Sequence, residues 1–407
     1  MKILLSAYAC EPHKGSEPGM GWHWAIEIAR LGHEVHILTR SNNLEALRKE
    51  LAPLDSLRIE LHGYDLPQWI RRWKKGGRGI HLYYLLWQWF AYRSARQLHA
   101  RQRFDMVHHI TFAVYRHPSF MGRIGIPFVV GPLGGGEYAP VALLRTAPPR
   151  AKIMESLRWM SNRLALVDPS VRGMFKQASL ILYKTPETFG VIPPSARRKS
   201  MQVADVAADS ARIAGSIALG SERPTFLFVG NLLHLKGIHL ALAALCRVRK
   251  DLPDATLTIA GDGRDKEWLQ AQARQLDIER AVVWRGRLSH DEVFGLYACH
   301  TAFVFPSLHD SGGTVVMEAL SQGLPVICLD MGGPGAMLPD DCGFKIEART
   351  RSEDRVVCHL AEAMMRLASD DSLRRQLAAN ALDAARSHSW GALVRSAYAQ
   401  IEARLNI

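Results

Sequence analysis

The chain has 407 residues, of which 48% are hydrophobic and 22% charged, and its formal net charge is +12. This length favours two domains over a single core, and the composition excludes a disordered or fibrous chain. The six cysteines are scattered without a C-x-x-C pair, which argues against a disulfide framework and against a zinc site.

The chain opens with an apolar run over residues 2–8, followed by a loop that contains Gly15, Gly19 and Gly21. The run is about half as long as a signal peptide needs, so we interpret it as a buried first strand. A helix over residues 21–31 and a strand over residues 34–39 are predicted next. This β-loop-α-β order is typical of a parallel sheet. Because no stretch is long enough to span a bilayer, we expect a cytoplasmic protein, free or peripheral on the inner face of the membrane.

Residues 66–104 contain no acidic side chain, although they are rich in arginine, lysine and aromatic residues. Basic and aromatic side chains together suit an anionic membrane surface, where cations meet phosphates and rings settle at the boundary. A solvated basic face over an ordinary core and a nucleic-acid patch are the alternatives, but no nucleic-acid-binding signature supports the latter. Residues 1–190 carry 26 basic and 14 acidic residues and hence the whole excess charge, which suggests an anionic surface or acceptor.

Short apolar runs predict further strands at residues 106–110, 127–131 and 180–183. Residues 190–222, rich in Pro, Ala and Ser, are typical of an interdomain connection. The β-α alternation then starts afresh, with strands predicted at residues 225–229, 255–260, 282–285, 302–305 and 325–329.

Two adjacent glycines, Gly312 and Gly313, lie between the predicted strand that ends at Phe305 and a helix. Glycines let a ligand approach the backbone closely, and the N–H groups of a helix N-terminus suit a diphosphate. Asp310 precedes the glycines, and Glu318 follows on the helix. A carboxylate at Glu318 can accept hydrogen bonds from both hydroxyls of a ribose.

This segment resembles the E-x7-E region of the retaining glycosyltransferases of family 4, which have the GT-B fold. The loop GNLLHLKG over residues 230–237 resembles the family's G-R-L-x-x-x-K-G loop, and residues 259–263 and 285–287 follow at its usual spacing. Residues 15–22 resemble its glycine-rich acceptor-side loop. Together these motifs cover essentially the whole chain.

The resemblance implies two doubly wound Rossmann-like domains facing an interdomain cleft. Residues 1–189 would form the acceptor-side domain, residues 190–222 the linker and residues 223–389 the donor-binding domain. The last helix, over residues 390–407, would pack back on the first domain. The donor would be a nucleotide diphosphate sugar, such as a UDP- or GDP-sugar, and the acceptor a lipid-linked or polysaccharide glycan of the cell surface.

The resemblance also implies roles for individual residues. Lys236 would neutralise the departing diphosphate, Glu318 would hold the ribose, and Asp310 would lie near the donor sugar. His108 or His109 would face the reacting sugar, although a core histidine is an equal alternative. The remaining donor-site residues would be Gly230, Asn231, Gly286, Arg287, Ser311, Gly312, Gly313 and Thr314. The acceptor-side loops would contain Gly15, Ser16, Glu17, Gly19, Gly134, Gly135 and Gly136.

The resemblance implies a transfer that retains the anomeric configuration and needs neither a metal nor another cofactor. No D-x-D pair occurs, which agrees with metal independence. Asn231 replaces the family's usual Arg in the phosphate loop, so one cation is missing unless His234 or another base compensates. Asp310 replaces the usual Glu. A catalytically weakened scaffold, and a GT-B enzyme with phosphorylase or epimerase chemistry, are the alternative functions.

Overall fold

The computed structural model describes residues 1–73, 80–216 and 223–407. Within these ranges the chain forms two compact units, each built on one parallel sheet. The first unit comprises Met1–Gly136, Met160–Asp205 and Trp390–Ile407, and the second comprises Glu137–Trp159 and Val206–Ser389. The predicted α/β class with two doubly wound domains is confirmed.

The first sheet has seven strands in the spatial order β3-β2-β1-β4-β5-β6-β7. In chain order they are Lys2–Ser6 (β1), Glu34–Thr39 (β2), Ile59–Gly63 (β3), Met106–His109 (β4), Phe128–Leu133 (β5), Leu180–Tyr183 (β6) and Ser200–Gln202 (β7). Leu4 packs into the hydrophobic core on one face of this sheet, while Ile3 and Leu5 pack into the core on the other. Because both faces are covered, β1 is apolar without alternation.

The second sheet has six strands in the order β10-β9-β8-β11-β12-β13. They are Thr225–Val229 (β8), Thr256–Ala260 (β9), Val282–Gly286 (β10), Ala302–Phe305 (β11), Val326–Leu329 (β12) and Gly343–Ile346 (β13). The order reverses where β8 pairs with both β9 and β11. Ligands of such sheets bind beyond the carboxyl ends of the strands at this reversal.

Helices cover the faces of both sheets. In chain order they are Ser16–Arg30 (α1), Leu44–Leu51 (α2), Gln68–Trp73 (α3), Ile80–Gln102 (α4), Pro149–Ala165 (α5), Pro169–Gln177 (α6), Pro186–Val191 (α7), Pro194–Arg197 (α8), Ile238–Val248 (α9), Lys266–Gln275 (α10), His290–Tyr297 (α11), Thr314–Ser321 (α12), Gly332–Met337 (α13), Glu353–Ser369 (α14), Asp371–Ser387 (α15) and Trp390–Leu405 (α16). Short 3-10 turns join several of them. In the described ranges, no helix combines the length and apolar character needed to cross a bilayer.

The unit boundaries differ from the predicted domain boundaries. Residues Glu137–Trp159 belong to the second unit, although they precede the predicted linker. The described part of that linker is partly structured: it contains α8 and β7. Strand β7 pairs with β6, and its Met201 side chain is buried in the core. Trp390–Ile407 belong to the first unit, where Val394, Ala397, Tyr398 and Ile401 form the buried face of α16.

Candidate functional site

The loop after β8 is fixed by close backbone packing in the second unit. Gly237 has a φ of +68°, and a Cβ there would lie 1.8 Å from the carbonyl oxygen of Pro306. Leu308 donates its N–H to the Leu235 carbonyl at 2.8 Å, and the Ser307 hydroxyl donates to the same oxygen at 3.3 Å. The loop is therefore locked against the segment that follows β11.

This packing places Lys236 beside Asp310. The Lys236 Nζ lies 2.5 Å from Asp310 Oδ2, and both side chains are about one-fifth exposed. Burial works against ionisation of Asp310, but the Lys236 ammonium and two backbone N–H groups outweigh it, so the pKa of Asp310 lies below its usual value. The sequence predicted both residues for the donor site, and the structure brings them together as an ion pair.

The double-glycine turn binds the side-chain carboxylate of Asp310. Asp310 Oδ1 accepts hydrogen bonds from the N–H groups of Gly312 at 3.1 Å and Gly313 at 3.4 Å. These two N–H groups, which we expected to support the diphosphate, are thus engaged by a carboxylate in this structure. The turn continues into α12, whose first turn leaves the N–H groups of Thr314 and Val315 without intrahelical partners.

A second glycine segment packs against this turn, and the sequence analysis missed it. Gly333 donates its N–H to the Asp310 carbonyl at 2.8 Å, and a Cβ on Gly332 would lie 2.3 Å from the same oxygen. Such a Cβ would also lie 3.5 Å from the Cγ of Glu137, a buried residue of the same unit. The signal available in the sequence was the run Gly-Gly-Pro-Gly at residues 332–335, shortly after β12.

Glu318 occupies the second turn of α12 and is held by two neighbours. The Tyr297 hydroxyl donates to Glu318 Oε2 at 3.1 Å, and His290 Nε2 lies 3.2 Å from Oε1. The hydrogen bond to Glu318 raises the pKa of His290. Burial raises the pKa of Tyr297 well above its usual value, so this hydroxyl remains a donor. Sequence reasoning missed both partners. His290 is the first residue of α11, which opens with a capping box formed by Ser289 and Glu292.

The other predicted donor-site residues lie at loop positions in the same unit. Gly230 follows β8 with a φ of +152°, and Gly286 ends β10 with a φ of +67°. Asn231 and Arg287 are exposed, and Ser311 is half-buried. In the described part of the chain, these residues form no hydrogen bond or ion pair with the side chains of Lys236, Asp310 or Glu318.

His234 does not supply the cation that Asn231 lacks. Its ring is buried, and burial lowers the pKa of His234 despite the nearby Asp265 carboxylate, so the neutral form prevails at pH 7. Its backbone N–H donates to Asp265 Oδ2 at 2.9 Å. We therefore assign His234 a structural role in the loop.

In the first unit, His108 and His109 lie inside the sheet, where both ring nitrogens have partners. His108 contacts the Tyr398 hydroxyl at 3.1 Å and the Gly131 carbonyl at 3.0 Å. His109 contacts the Ser6 and Tyr84 hydroxyls, each at 3.0 Å. Burial lowers the pKa of His108 to about 4 and that of His109 to about 3. This burial argues against the predicted contact with a reacting sugar and favours the core alternative.

The predicted acceptor-side loop at residues 15–19 forms the start of α1. Gly15 precedes Ser16, the first helical residue, and a Cβ on Gly19 would lie 1.9 Å from the Lys14 carbonyl oxygen. Glu17 accepts the Phe112 N–H at 2.7 Å. Burial raises the pKa of Glu17, although Lys184, 3.8 Å away, favours the charged form.

The glycines at residues 134–136 are buried and serve close packing within the first unit. Gly134 exchanges backbone hydrogen bonds with Ala113 and Tyr115. A Cβ on Gly135 would lie 2.5 Å from the Val114 side chain, and one on Gly136 would lie 2.5 Å from the Thr188 Cα. Gly135 and Gly136 are thus required by close packing, whatever binds nearby.

The basic aromatic stretch at residues 66–104 is mainly a core element where the structure describes it. The rings of Tyr83, Tyr84 and Trp87 on α4 are buried, whereas Trp69 is 74% exposed. Lys74, Lys75 and Arg78 lie outside the described residues. The aromatic enrichment that suggested a membrane face therefore reflects core packing for these three rings.

The sequence profile of the family "Glycosyl transferases group 1" matches residues 209–383. A glycogen synthase of Mycobacterium tuberculosis is 42% identical over 109 residues, 27% of this chain. That match spans 26% of the relative's own length, about a quarter. The lipopolysaccharide core biosynthesis glycosyltransferase LpsE of Rhizobium meliloti is 24% identical over 264 residues, which cover 63% of this chain and 74% of LpsE.

Solved structures resemble the chain over its full length. Sucrose-phosphate synthase from Thermosynechococcus elongatus superposes with a TM-score of 0.67 at 16% identity, covering 99% of this chain and 98% of that one. HepE from Anabaena, solved in complex with UDP and glucose, gives a TM-score of 0.57 at 15% identity, with 99% of both chains covered. At these identities the likeness establishes the fold alone. The chain therefore has the GT-B fold, and its residues 209–383 are similar to the group 1 glycosyl transferases.

Proposed function

We propose that the protein is a retaining glycosyltransferase that takes a sugar from a nucleotide diphosphate sugar bound in the second unit. The single observation that carries the proposal is the Lys236–Asp310 ion pair on the double-glycine turn. It lies at the N-terminus of α12, in the segment that matches the group 1 family. A cation and a helix N-terminus together suit a diphosphate leaving group.

In this mechanism Lys236 exchanges its carboxylate partner for the diphosphate of the donor. The exchange places the ammonium where negative charge develops as the bond from the sugar to the diphosphate breaks. Asp310, released from Lys236, remains anchored by Gly312 and Gly313 and can accept hydrogen bonds from hydroxyls of the donor sugar. No divalent metal is required in this scheme, and turnover should survive chelation by EDTA.

Glu318 would hold the ribose of the nucleotide. Its carboxylate is 17% exposed and is oriented by Tyr297 and His290, which restricts its rotamers before a ligand arrives. Such preorganisation lowers the entropic cost of binding. Gly286 and Arg287, at the end of β10, are proposed to contact the base.

UDP-sugars are the first donors to test, because HepE was solved with UDP and with UDP-glucose. GDP-sugars are the second. For the acceptor, the name of LpsE and the excess positive charge of residues 1–190 support a lipid-linked or polysaccharide glycan. We propose that the protein acts in the cytoplasm, at the membrane surface that presents such an acceptor.

The deciding experiment is a thermal-shift panel of UDP, GDP, ADP, TDP and their sugars against wild type and Glu318→Ala. A ligand at 100 times its Kd stabilises the folded state by about 2.7 kcal/mol. One nucleotide should raise the Tm of wild type and of the control Glu267→Ala, an exposed helical glutamate, but not that of Glu318→Ala.

Slow hydrolysis of the matching nucleotide sugar should accompany that binding. No shift with any nucleotide at millimolar concentration would overturn the transferase proposal and favour the scaffold alternative, which Asn231 supports. Nucleotide binding without hydrolysis or transfer would favour the same alternative.

A further inference from the structure

Two histidines and a glutamate converge at the edge of the first sheet. His36 lies on β2, and Glu60 and His62 lie on the edge strand β3. The parallel register pairs His36 with Glu60 and Leu38 with His62, so the three polar side chains leave the same face of the sheet. All three belong to the first unit, and the proposed function does not use them.

The polar atoms of these side chains are spaced like the ligands of one metal ion. His36 Nδ1 lies 3.0 Å from His62 Nε2 and 3.4 Å from Glu60 Oε2, and His62 Nε2 lies 3.5 Å from Glu60 Oε1. In a tetrahedral zinc site, bonds of about 2.0–2.1 Å separate neighbouring ligand atoms by about 3.3 Å. Among the described residues, this is the one group of three His, Cys, Asp or Glu side chains whose ligand atoms all lie within 4.8 Å of one another.

The ring of His36 is fixed so that one nitrogen faces the other two side chains. The ring is buried, and its Nε2 lies 2.9 Å from Glu34 Oε1. Because an ionised carboxylate only accepts hydrogen bonds, Nε2 carries the proton of the neutral ring, and the lone pair of Nδ1 points toward His62 and Glu60. Lys2 Nζ, 2.9 Å from the same oxygen, holds Glu34 in place. A carboxylate that binds the second nitrogen of a histidine in this way is a regular feature around metal ligands.

The exposure of the three side chains leaves a path for an ion from solvent. The side chain of His36 is 0% exposed, that of His62 14% and that of Glu60 54%, so the group opens on the Glu60 side. Two imidazoles and one carboxylate suit Zn²⁺, whereas Mg²⁺ and Ca²⁺ prefer oxygen ligands alone. The group contains no cysteine, so the scattered thiols of the sequence do not bear on it.

We propose that His36, Glu60 and His62 bind one Zn²⁺ ion, with a water molecule as the fourth ligand. Strand β3 pairs with β2 alone, so an ion bonded to both strands restrains a strand that has a single neighbour. The ion stabilises the folded first unit, because the three ligands converge only when β2 and β3 are paired. It takes no step in the proposed transfer, whose donor-site residues belong to the second unit. Chelation by EDTA should therefore lower the Tm without stopping turnover.

The test is calorimetric titration of the full chain with ZnCl₂ after its metal has been removed with EDTA. Wild type should bind one equivalent of Zn²⁺ more than the variant Glu60→Gln/His62→Gln, which keeps the buried His36. Saturating Zn²⁺ should raise the Tm of wild type but not that of the variant, since a ligand of the folded state stabilises it. Co²⁺ in place of Zn²⁺ should give wild type, and not the variant, the intense visible absorption of a four-coordinate site.

The matched control is His13→Gln/Glu50→Gln, which removes a histidine–glutamate pair of the same unit, 3.1 Å apart, that has no third ligand in the described part of the chain. This control should bind Zn²⁺ like wild type. Equal Zn²⁺ stoichiometry in wild type and Glu60→Gln/His62→Gln would overturn the proposal, because the ion would then bind other side chains. Absence of Zn²⁺ binding to wild type would also overturn it and leave the contact between His36 and His62 as a hydrogen bond only. No readout here uses a nucleotide, so failure of the proposed function would leave the result unaffected.

Discussion

Lys236 and Asp310 form a pair in which each partner has a separate role, so single and double substitutions should differ. Lys236→Met leaves the partly buried Asp310 carboxylate without its cation and removes the charge opposite the diphosphate. We expect kcat/KM to fall by about 10²–10³ and the Tm to fall as well. Adding Asp310→Asn should restore the Tm but not the activity.

The assay is release of nucleotide from the donor identified by thermal shift, with Lys266→Met as the matched control on α10. If Lys236→Met keeps wild-type kcat/KM, Lys236 is a structural lysine and the phosphate-ligand assignment is wrong.

The contribution of the His290–Glu318 hydrogen bond to stability depends on pH. This bond raises the pKa of His290, so the folded protein binds this proton more tightly than the unfolded chain does. The resulting stabilisation is fully present below the unfolded pKa of about 6.5 and disappears as pH rises through the folded value. Since the ring is half exposed, solvent screening keeps the effect small.

The Tm difference between wild type and His290→Asn should therefore shrink from pH 6 to pH 8.5. Glu318→Gln removes the partner, so His290→Asn in that background should have no pH-dependent effect. A Tm difference that is constant over this range would show that the pair is not formed in solution.

At the scale of an element, the loop at residues 230–237 depends on one glycine. A side chain at Gly237 would need a φ of +68° and would place its Cβ 1.8 Å from the Pro306 carbonyl oxygen. Gly237→Ala should lower the free energy of unfolding by about 1–3 kcal/mol and abolish nucleotide binding, because Lys236 would move away from Asp310.

Gly190→Ala is the control, since no atom lies within 4 Å of a Cβ there and its φ is not positive. Urea denaturation and the nucleotide thermal shift measure the two effects. Normal nucleotide binding by Gly237→Ala would show that the loop tolerates a different backbone path.

Elements with one dominant pattern could be predicted from the sequence, and elements defined by their neighbours could not. The apolar runs of β1, β2 and β8 identified the buried strands within a residue or two. The edge strand β3 was missed because Glu60 and His62 interrupt its apolar pattern, and β13 was missed because Lys345 interrupts its apolar pattern. In α5 an apolar stripe was present, but its direction depends on tertiary contacts that a sequence does not display.

The same distinction applies to the candidate site. The motif residues Lys236, Asp310 and Glu318 could be predicted because a strand, a glycine turn and a helix follow one another in the chain. Their partners could not: Tyr297 reaches Glu318 from a different helix, and Gly333 reaches Asp310 from the first turn of α13. The same holds for His108, since its place in a strand gave no sign that Tyr398, 290 residues later, contacts its buried ring.

At the scale of the whole molecule, the location of the charged residues is more informative than their total charge. The excess of positive charge in residues 1–190 predicts an anionic partner but not where it binds. Four of these cations lie on α5, whose outer side is exposed, and three lie on α4, whose rings Tyr83, Tyr84 and Trp87 are buried. The surface on which a charge lies, rather than the total, decides which partner it meets.

Buried neutral histidines should set the acid limit of the whole fold. Burial lowers the pKa of His108 to about 4 and that of His109 to about 3 in the first unit, and that of His239 to about 3 in the second. In the unfolded chain these rings titrate near pH 6.5. Below that pH only the unfolded state gains the protons, so the free energy of unfolding falls as pH drops toward the folded values, by about 1.4 kcal/mol per pH unit for each ring.

Urea denaturation between pH 7.5 and 5 should show this decline in both units. The variant His109→Gln should reduce the slope of the free energy of unfolding against pH in the first unit by the contribution of one proton. The control His13→Gln, which replaces an exposed ring, should leave that slope unchanged. Stability that stays constant from pH 6.5 to 5 would mean that these rings are hydrated in solution rather than buried.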